Sequence, residues 1–259
     1  ASQVQVLVGP APIVGTFSGL PINTSYKIRL VVGVGTPIVR TFCQFVPISL
    51  VYTAIIPVDL GIATSFVLLA GAGINETSGA STFIGDVGSD PTVTITGITP
   101  PQVTGVLYTV SNPTVIAAKV SLGNAKAYIA GLSPFVTVPD ALGGTVLTPG
   151  YYNTTGGTID ITGNVTFDGL GAPGSVWVID AATTLAIALG ATVTLINGAL
   201  WQNIFFNVGS TVNIADNAVV NGNILAHGDI IVASNVTLNG RLLTEIGLQD
   251  ITLINASNI

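Results

Sequence analysis

Charge is nearly absent from this chain. Among 259 residues, six are Lys or Arg and twelve are Asp or Glu, 7% in all, against about 25% in a typical soluble domain. The net charge is −6 and the cations Lys27, Arg29, Arg40, Lys119, Lys126 and Arg241 are scattered. No basic stripe exists to neutralise phosphates, which excludes nucleic acid as a partner. Histidine occurs once, at 227, and cysteine once, at 43. No His/Cys zinc cluster and no intrachain disulfide can form. Cys43 reads as a small buried hydrophobe or, alternatively, as a link between copies. Methionine is missing, so Ala1 is expected to be a mature N-terminus left by signal-peptide removal, and the protein to be extracellular or at the cell surface. A membrane span is not expected. The apolar run from Phe45 to Gly73 is broken by Pro47, Pro57 and Asp59 before the roughly 20 helical residues a span needs can accumulate.

Catalytic chemistry is equally sparse. His227 and Asp229 imitate a dyad, but no placed nucleophile or third group accompanies them. Asp86, Asp90, Asp168, Asp180 and Asp216 lie near glycine-rich corners without the spacing of a calcium loop. The expectation is therefore no enzyme, no cofactor and no metal. Trp177 and Trp201 read as packing residues. Asn23, Asn75, Asn153, Asn164, Asn235 and Asn255 open N-x-S/T tripeptides, which chance supplies often in a chain rich in Asn and Thr.

What is present is strand sequence. Val4, Val6 and Val8 alternate with Gln3 and Gln5 at period two. Three further runs follow before residue 58, punctuated by prolines at 10, 12, 21, 37, 47 and 57. Residues 1–58 are expected to form a small N-terminal β extension, too small to stand alone. Residues 59–259 are expected to form the main domain. One segment of it, about 112–131, reads as a helix. Ser111 and Asn112 offer N-caps, Pro113 suits the first turn and Gly131 supplies a stop. Gly123 is unfavourable in its middle.

After Pro149 the chain repeats itself. The segment from Thr211 to Gly222 aligns without gaps on Asp229 to Gly240. Thr184-Leu-Ala-Ile-Ala matches Thr211-Val-Asn-Ile-Ala, and Asp250-Ile-Thr-Leu-Ile matches Asp229-Ile-Ile-Val-Ala. Uneven periods near 20 residues mean stacked coils with variable corners. Each coil carries a row of Val, Ile and Leu that only its neighbours can bury. Asn-Gly at 197–198, 221–222 and 239–240 is expected to mark corners, because both residues accept positive φ.

Many motifs agree in order with one family. Ser65-Phe-Val-Leu-Leu-Ala-Gly71 resembles its opening strand and Phe83-Ile-Gly-Asp-Val-Gly88 its next coil. The helix at 112–131 matches its single long helix. Leu147-Thr-Pro-Gly-Tyr151, Val193-Thr-Leu-Ile-Asn-Gly198, Asn203-Ile-Phe-Phe-Asn-Val-Gly209, Gly222-Asn-Ile-Leu-Ala226 and Asn239-Gly-Arg-Leu-Leu243 resemble its later turns and strands. The chain from about residue 59 onward resembles the bacterial and fungal ice-binding-protein-like domain. That resemblance implies a mainly β fold: an irregular, three-sided β-solenoid flanked by one helix. Members include antifreeze proteins, and others are surface or adhesion proteins.

Three functions compete. Sparse charge, an added β unit and an open coil end favour a structural extracellular protein that self-assembles head to tail by strand addition. Val4, Val6 and Val8 at one end, and Ile251, Leu253 and Ile259 at the other, are its expected contacts. The alternative is ice binding through a regular face, with Thr92, Thr94, Thr96, Thr192 and Thr194 as candidates. Thr192 aligns with Val219 and Thr237, and Thr194 with Asn221 and Asn239, so no threonine ladder of several rungs is expected. An adhesin that holds a surface glycan ranks third.

Overall fold

All the strand pairs of the computed structural model are parallel among the described residues, as coils wound in one direction require. The structure describes residues 57–259 apart from 173, 246, 248, 256 and 257. All but the last two residues of the expected N-terminal extension, including Val4, Val6, Val8, Asn23 and Cys43, lie outside them.

The coils have three sides. One side stacks Asp86–Ser89, Phe66–Ala70, the second halves of Thr237–Thr244 and Val219–Ala226, then Ile204–Val208, Trp177–Ala181, Gly150–Thr154 and Val136–Val138. A second side stacks Ile95–Thr96, Gly73–Glu76, Asp250–Leu253, Ile230–Val232, Val212–Ile214, Leu185–Ile187 and Ile159–Ile161. The third side is formed by the first halves of the two eight-residue strands with Thr192–Ile196, Asn164–Asp168 and Val146–Leu147. Side chains alternate inward and outward along each strand. The inward rows, such as Leu185, Val212, Ile230 and Ile251, meet from all three sides in one dry core.

The chain does not wind continuously. It enters near one end, adds the coil of Asp86–Ser89 and a last partial rung at 103–108 outside it, and then returns along the stack as a helix, Pro113–Ala130. Eighteen residues at about 1.5 Å each span about 27 Å, some five or six strand spacings of about 4.8 Å. Winding restarts at the far end and climbs until Asp250–Leu253 meets Gly73–Glu76.

The helix boundaries follow the caps that the sequence offers. The Asn112 side chain accepts the Thr114 N–H at 2.9 Å, and Gly131 ends the helix. Val115, Ala118, Leu122, Ala125 and Ile129 cover Leu69, Val178, Phe205, Leu225 and Leu243, which point outward from the first side. Ile116, Val120 and Tyr128 are exposed instead, so the buried stripe is narrower than the apolar positions suggest.

Two corners differ from expectation. Asn221-Gly222 and Asn239-Gly240 lie within unbroken strands that bend from the third side to the first. Gly240 is needed there because a Cβ would come within 1.8 Å of the Gly222 carbonyl oxygen. The tight corners carry asparagine in the left-handed region, Asn197 at φ 50°, Asn217 at φ 58° and Asn235 at φ 57°. Asparagine tolerates that region better than other non-glycine residues.

Candidate functional site

The second side is the open face. The helix lies over the first side, and outward residues of the second, such as Asn75, Thr96, Asn213, Ile231 and Asp250, are exposed. Its strands stay in register over seven rungs, so outward side chains form three columns. The middle column runs Asp160, Ala186, Asn213, Ile231, Thr252, Asn75, Thr96.

The residue before each strand makes the second column. Leu185 pairs with Ile159 and Val212 with Leu185, which stacks Thr158, Thr184 and Thr211 on consecutive rungs. Asp229, Asp250 and Gly73 continue that column. The residue after each strand makes the third: Thr162, Ala188, Ala215, Ala233, Ile254 and Thr77. Ladder hydrogen bonds from the N–H groups of Ala188, Ala215, Ala233, Ile254 and Thr77, 2.8 to 2.9 Å long, extend the sheet through it. Small side chains leave a shallow open trough lined by Ala186, Ala188, Asn213, Ala215, Ile231 and Ala233. Such a surface presents methyls and hydroxyls at regular intervals, with strands fixed on both edges.

The expected threonines are not brought together on one surface. Thr94 and Thr96 sit at one end of the open face, and Thr92 lies in the loop before them, its N–H bonded to the Gly71 carbonyl at 3.2 Å. Thr192 and Thr194 belong to the third side, paired with Asn164 and Thr166. The ladder Thr158–Thr184–Thr211 corrects the expectation that no threonine repeats over several rungs. Its signal was the match of Thr184-Leu-Ala-Ile-Ala to Thr211-Val-Asn-Ile-Ala, where the first position is shared.

The third side is more self-occupied. Asn239 Nδ2 donates to Asn221 Oδ1 at 2.8 Å, and Asn221 Nδ2 donates to the Val193 carbonyl at 2.7 Å. Aspartates elsewhere hold corners and rungs. Asp86 accepts the Val106 N–H, Asp216 the Ser234 N–H, Asp168 the Leu170 N–H, and Asp180 the Asn207 side chain. No group of three or more His, Cys, Asp or Glu residues that could hold a metal occurs among the described residues. His227 faces Glu245 rather than Asp229, and Glu245 also approaches Lys126 at 3.7 Å. Trp177 is buried, its Nε1 donating to the Leu147 carbonyl at 3.1 Å. Trp201 is half-exposed beneath the Arg241 guanidinium. No described helix is long and apolar enough to cross a membrane.

Comparison with known proteins agrees with this architecture. A family model described as ice-binding-like matches residues 68–258. An ice-binding protein of Leucosporidium sp. (strain AY30) is 34% identical over 220 residues, covering 76% of this chain and 82% of the relative. An ice-binding protein of Nostoc sp. (strain HG1) is 32% identical over 203 residues, covering 77% and 73%. The crystal structure of an ice-binding protein from the Antarctic ascomycete Antarctomyces psychrotrophicus superposes with a TM-score of 0.71 at 29% identity. It covers 78% of this chain and 97% of that one.

These findings overturn the expectation of a self-assembling filament protein, since the relatives are ice-binding proteins. The open coil end on which that expectation rested is also not where it was placed. Asp250–Leu253 is paired on both edges, with Ile230–Val232 and with Gly73–Glu76. Ile251 and Leu253 point into the core, and Ile259 is buried with its carbonyl accepting the Ile84 N–H at 2.7 Å. No strand edge is offered at those residues.

Proposed function

The chain belongs to the ice-binding-like family, and from that premise we propose that it binds ice through the open face of its solenoid. The observation that carries this reading is the in-register column Thr158–Thr184–Thr211, set across the middle column from the alanine column Ala188–Ala215–Ala233. Rungs stand about 4.8 Å apart, so hydroxyls and methyls recur at fixed intervals along the axis and also across it. A lattice of waters on the ice surface is met by that repeat rather than by any single strong contact. Rigidity favours the same reading, because an ordered surface loses little conformational entropy on adsorption. The third side has threonines too, but its asparagines are engaged with one another. An extracellular location is part of this proposal.

The test is thermal hysteresis with ice-crystal shaping, on the unaltered protein and on two substitutions. Thr184→Lys and Ala215→Tyr each place a large side chain on the open face and are expected to abolish both readouts without lowering Tm. Thr194→Lys on the third side is expected to leave them intact. Hysteresis lost in Thr194→Lys and kept in Thr184→Lys moves the surface to the third side. An unaltered protein without hysteresis or crystal shaping ends the ice-binding reading.

A further inference from the structure

The threonine column of the open face stops where two carboxylates begin. Asp229 and Asp250 take the outward position held by Thr158, Thr184 and Thr211 on the preceding rungs. Both are exposed. A carboxylate pressed against ice gives up hydrating water and meets no counter-ion there, and an ion loses far more than a hydroxyl when its hydration is stripped. The two stand one rung apart, about 4.8 Å along the axis. The neighbouring column positions, Thr211 and Gly73, carry no charge. Asp229 has a local use: its Oδ1 accepts the Asp250 N–H at 2.9 Å, across a coil of 21 residues where the preceding one has 18.

We propose that Asp229 and Asp250 set the limit of ice contact at their end of the face, confining adsorption to the rungs of Thr184 and Thr211, short of Asp160 at the other end. Neutralising the pair extends the adsorbing surface and strengthens it. This rests on the open face being the ice-binding surface. Burial and the neighbouring Asp229 both push the Asp250 carboxyl up from the ordinary carboxylate range, so it loses its charge early as pH falls. The other titratable groups on the strands and corners around the pair are few. Glu76 is buried in the adjoining coil, and His227 and Glu245 face one another at the next corner. Asp160 lies three rungs away on the same face.

The experiment measures partition of the full chain into a fixed fraction of slowly grown ice, with thermal hysteresis, between pH 7 and pH 4. Asp229→Asn/Asp250→Asn keeps an Oδ1 acceptor for the Asp250 N–H. It is expected to bind ice roughly tenfold more tightly at pH 7, the change that about 1.4 kcal/mol of relieved desolvation gives. The unaltered protein gains affinity as pH falls and Asp250 loses its charge, and the double variant gains less. Asp250→Asn alone, which removes no side-chain hydrogen bond, provides the same test with a smaller gain should the double variant fail to fold. Asn213→Asp places a carboxylate in the middle of the open face and is expected to lose binding. Asn164→Asp makes the same charge change on the third side and is expected to lose none. Unchanged affinity and pH profile in both neutralised variants overturn the inference. If Asn213→Asp still loses binding, the open face stands. If Asn213→Asp binds ice unchanged, the reading of that face falls as well.

Discussion

Lys119, on the buried side of the helix, donates its Nζ to the carbonyl of Thr244 at 2.6 Å. A second bond reaches the Glu245 carbonyl at 2.8 Å. The two bonds tie the helix to the end of the strand Thr237–Thr244, where the later coils are about to meet the first one. Burial lowers the lysine to about 7, against partial compensation from Asp90 and Glu245. The unfolded chain keeps its proton up to the ordinary lysine value of 10.5, so between those limits the unfolded state binds more protons. Stability is therefore expected to rise with pH from about 7 toward 10, by at most about 1.4 kcal/mol per pH unit. Denaturant unfolding at several pH values checks this. Lys119→Met is expected to flatten the rise, and a rise of the same slope in that variant removes Lys119 as its source.

Two glycines make opposite predictions. Gly123 sits in the interior of the helix, where a Cβ meets nothing within 4 Å. Gly123→Ala is expected to stabilise by about 0.5–1 kcal/mol, by restricting the unfolded chain and favouring helix. Gly240→Ala brings its Cβ to 1.8 Å from the Gly222 carbonyl oxygen. Backbone cannot yield there without opening two rungs, and a loss of about 3 kcal/mol or more is expected. Thermal melts of both variants decide the matter; equal shifts of the same sign refute the assignment of space at these positions.

Asn223 holds a corner from inside. It is fully buried, and its Nδ2 lies within hydrogen-bond reach of the carbonyls of Trp201, Gln202 and Ile204, at 3.2, 3.2 and 3.1 Å. Its Oδ1 accepts from Arg241 Nη1 at 2.8 Å, and Arg241 Nε in turn donates to the Thr64 carbonyl at 2.9 Å. Truncation removes the Nδ2 contacts to these carbonyls and one of the bonds of Arg241, which keeps Thr64. Asn223→Ala is expected to cost about 1–3 kcal/mol, and to loosen the turn at Trp201. Weaker hydrogen-exchange protection at residues 201–204 reports that loosening, and a variant as stable as the parent contradicts the role.

The coils were legible in the sequence because their pairing is local. Thr211 to Gly222 and Asp229 to Gly240 are adjacent rungs, and the shared inward positions, Val212 with Ile230 and Val220 with Leu238, are both the repeat and the contact. The helix was legible through Asn112, Pro113 and Gly131. The return of the chain was not. Leu68 pairs with Leu242 and Ile74 with Ile251, contacts that no local pattern encodes, and so the C-terminal strand read as an open edge. The open face was half legible. Strand alternation marks outward residues, but coils of 26, 27, 18 and 21 residues hide which of them align until the corners are known. Alternation alone marks the threonines at 192 and 194, whereas those at 158, 184 and 211 align only once the coils are folded.

A coil of 18 residues suggests a deletion that respects the stack. Removing 211–228 joins Ser210 to Asp229, and each following residue then occupies the place its counterpart 18 positions earlier had held. Ile230 replaces Val212 against Leu185, and Thr237 replaces Val219 against Thr192. Inward and outward positions are preserved, and Asn235 takes over the left-handed corner of Asn217. In a stack whose strands pair only with their neighbours, stability falls by one rung, its interface and its share of the helix contacts, with Leu243 taking the place of Leu225 under the helix, rather than collapsing. The shortened protein is expected to fold with parallel-β circular dichroism and a lower Tm. Ice affinity drops because Thr211 and Ala215 leave the open face. Removing nine residues instead, 220–228, shifts the alternation by an odd number and sends Ile230 outward. That variant is expected not to fold cooperatively. If the two deletions melt alike, rung register is not what specifies this structure.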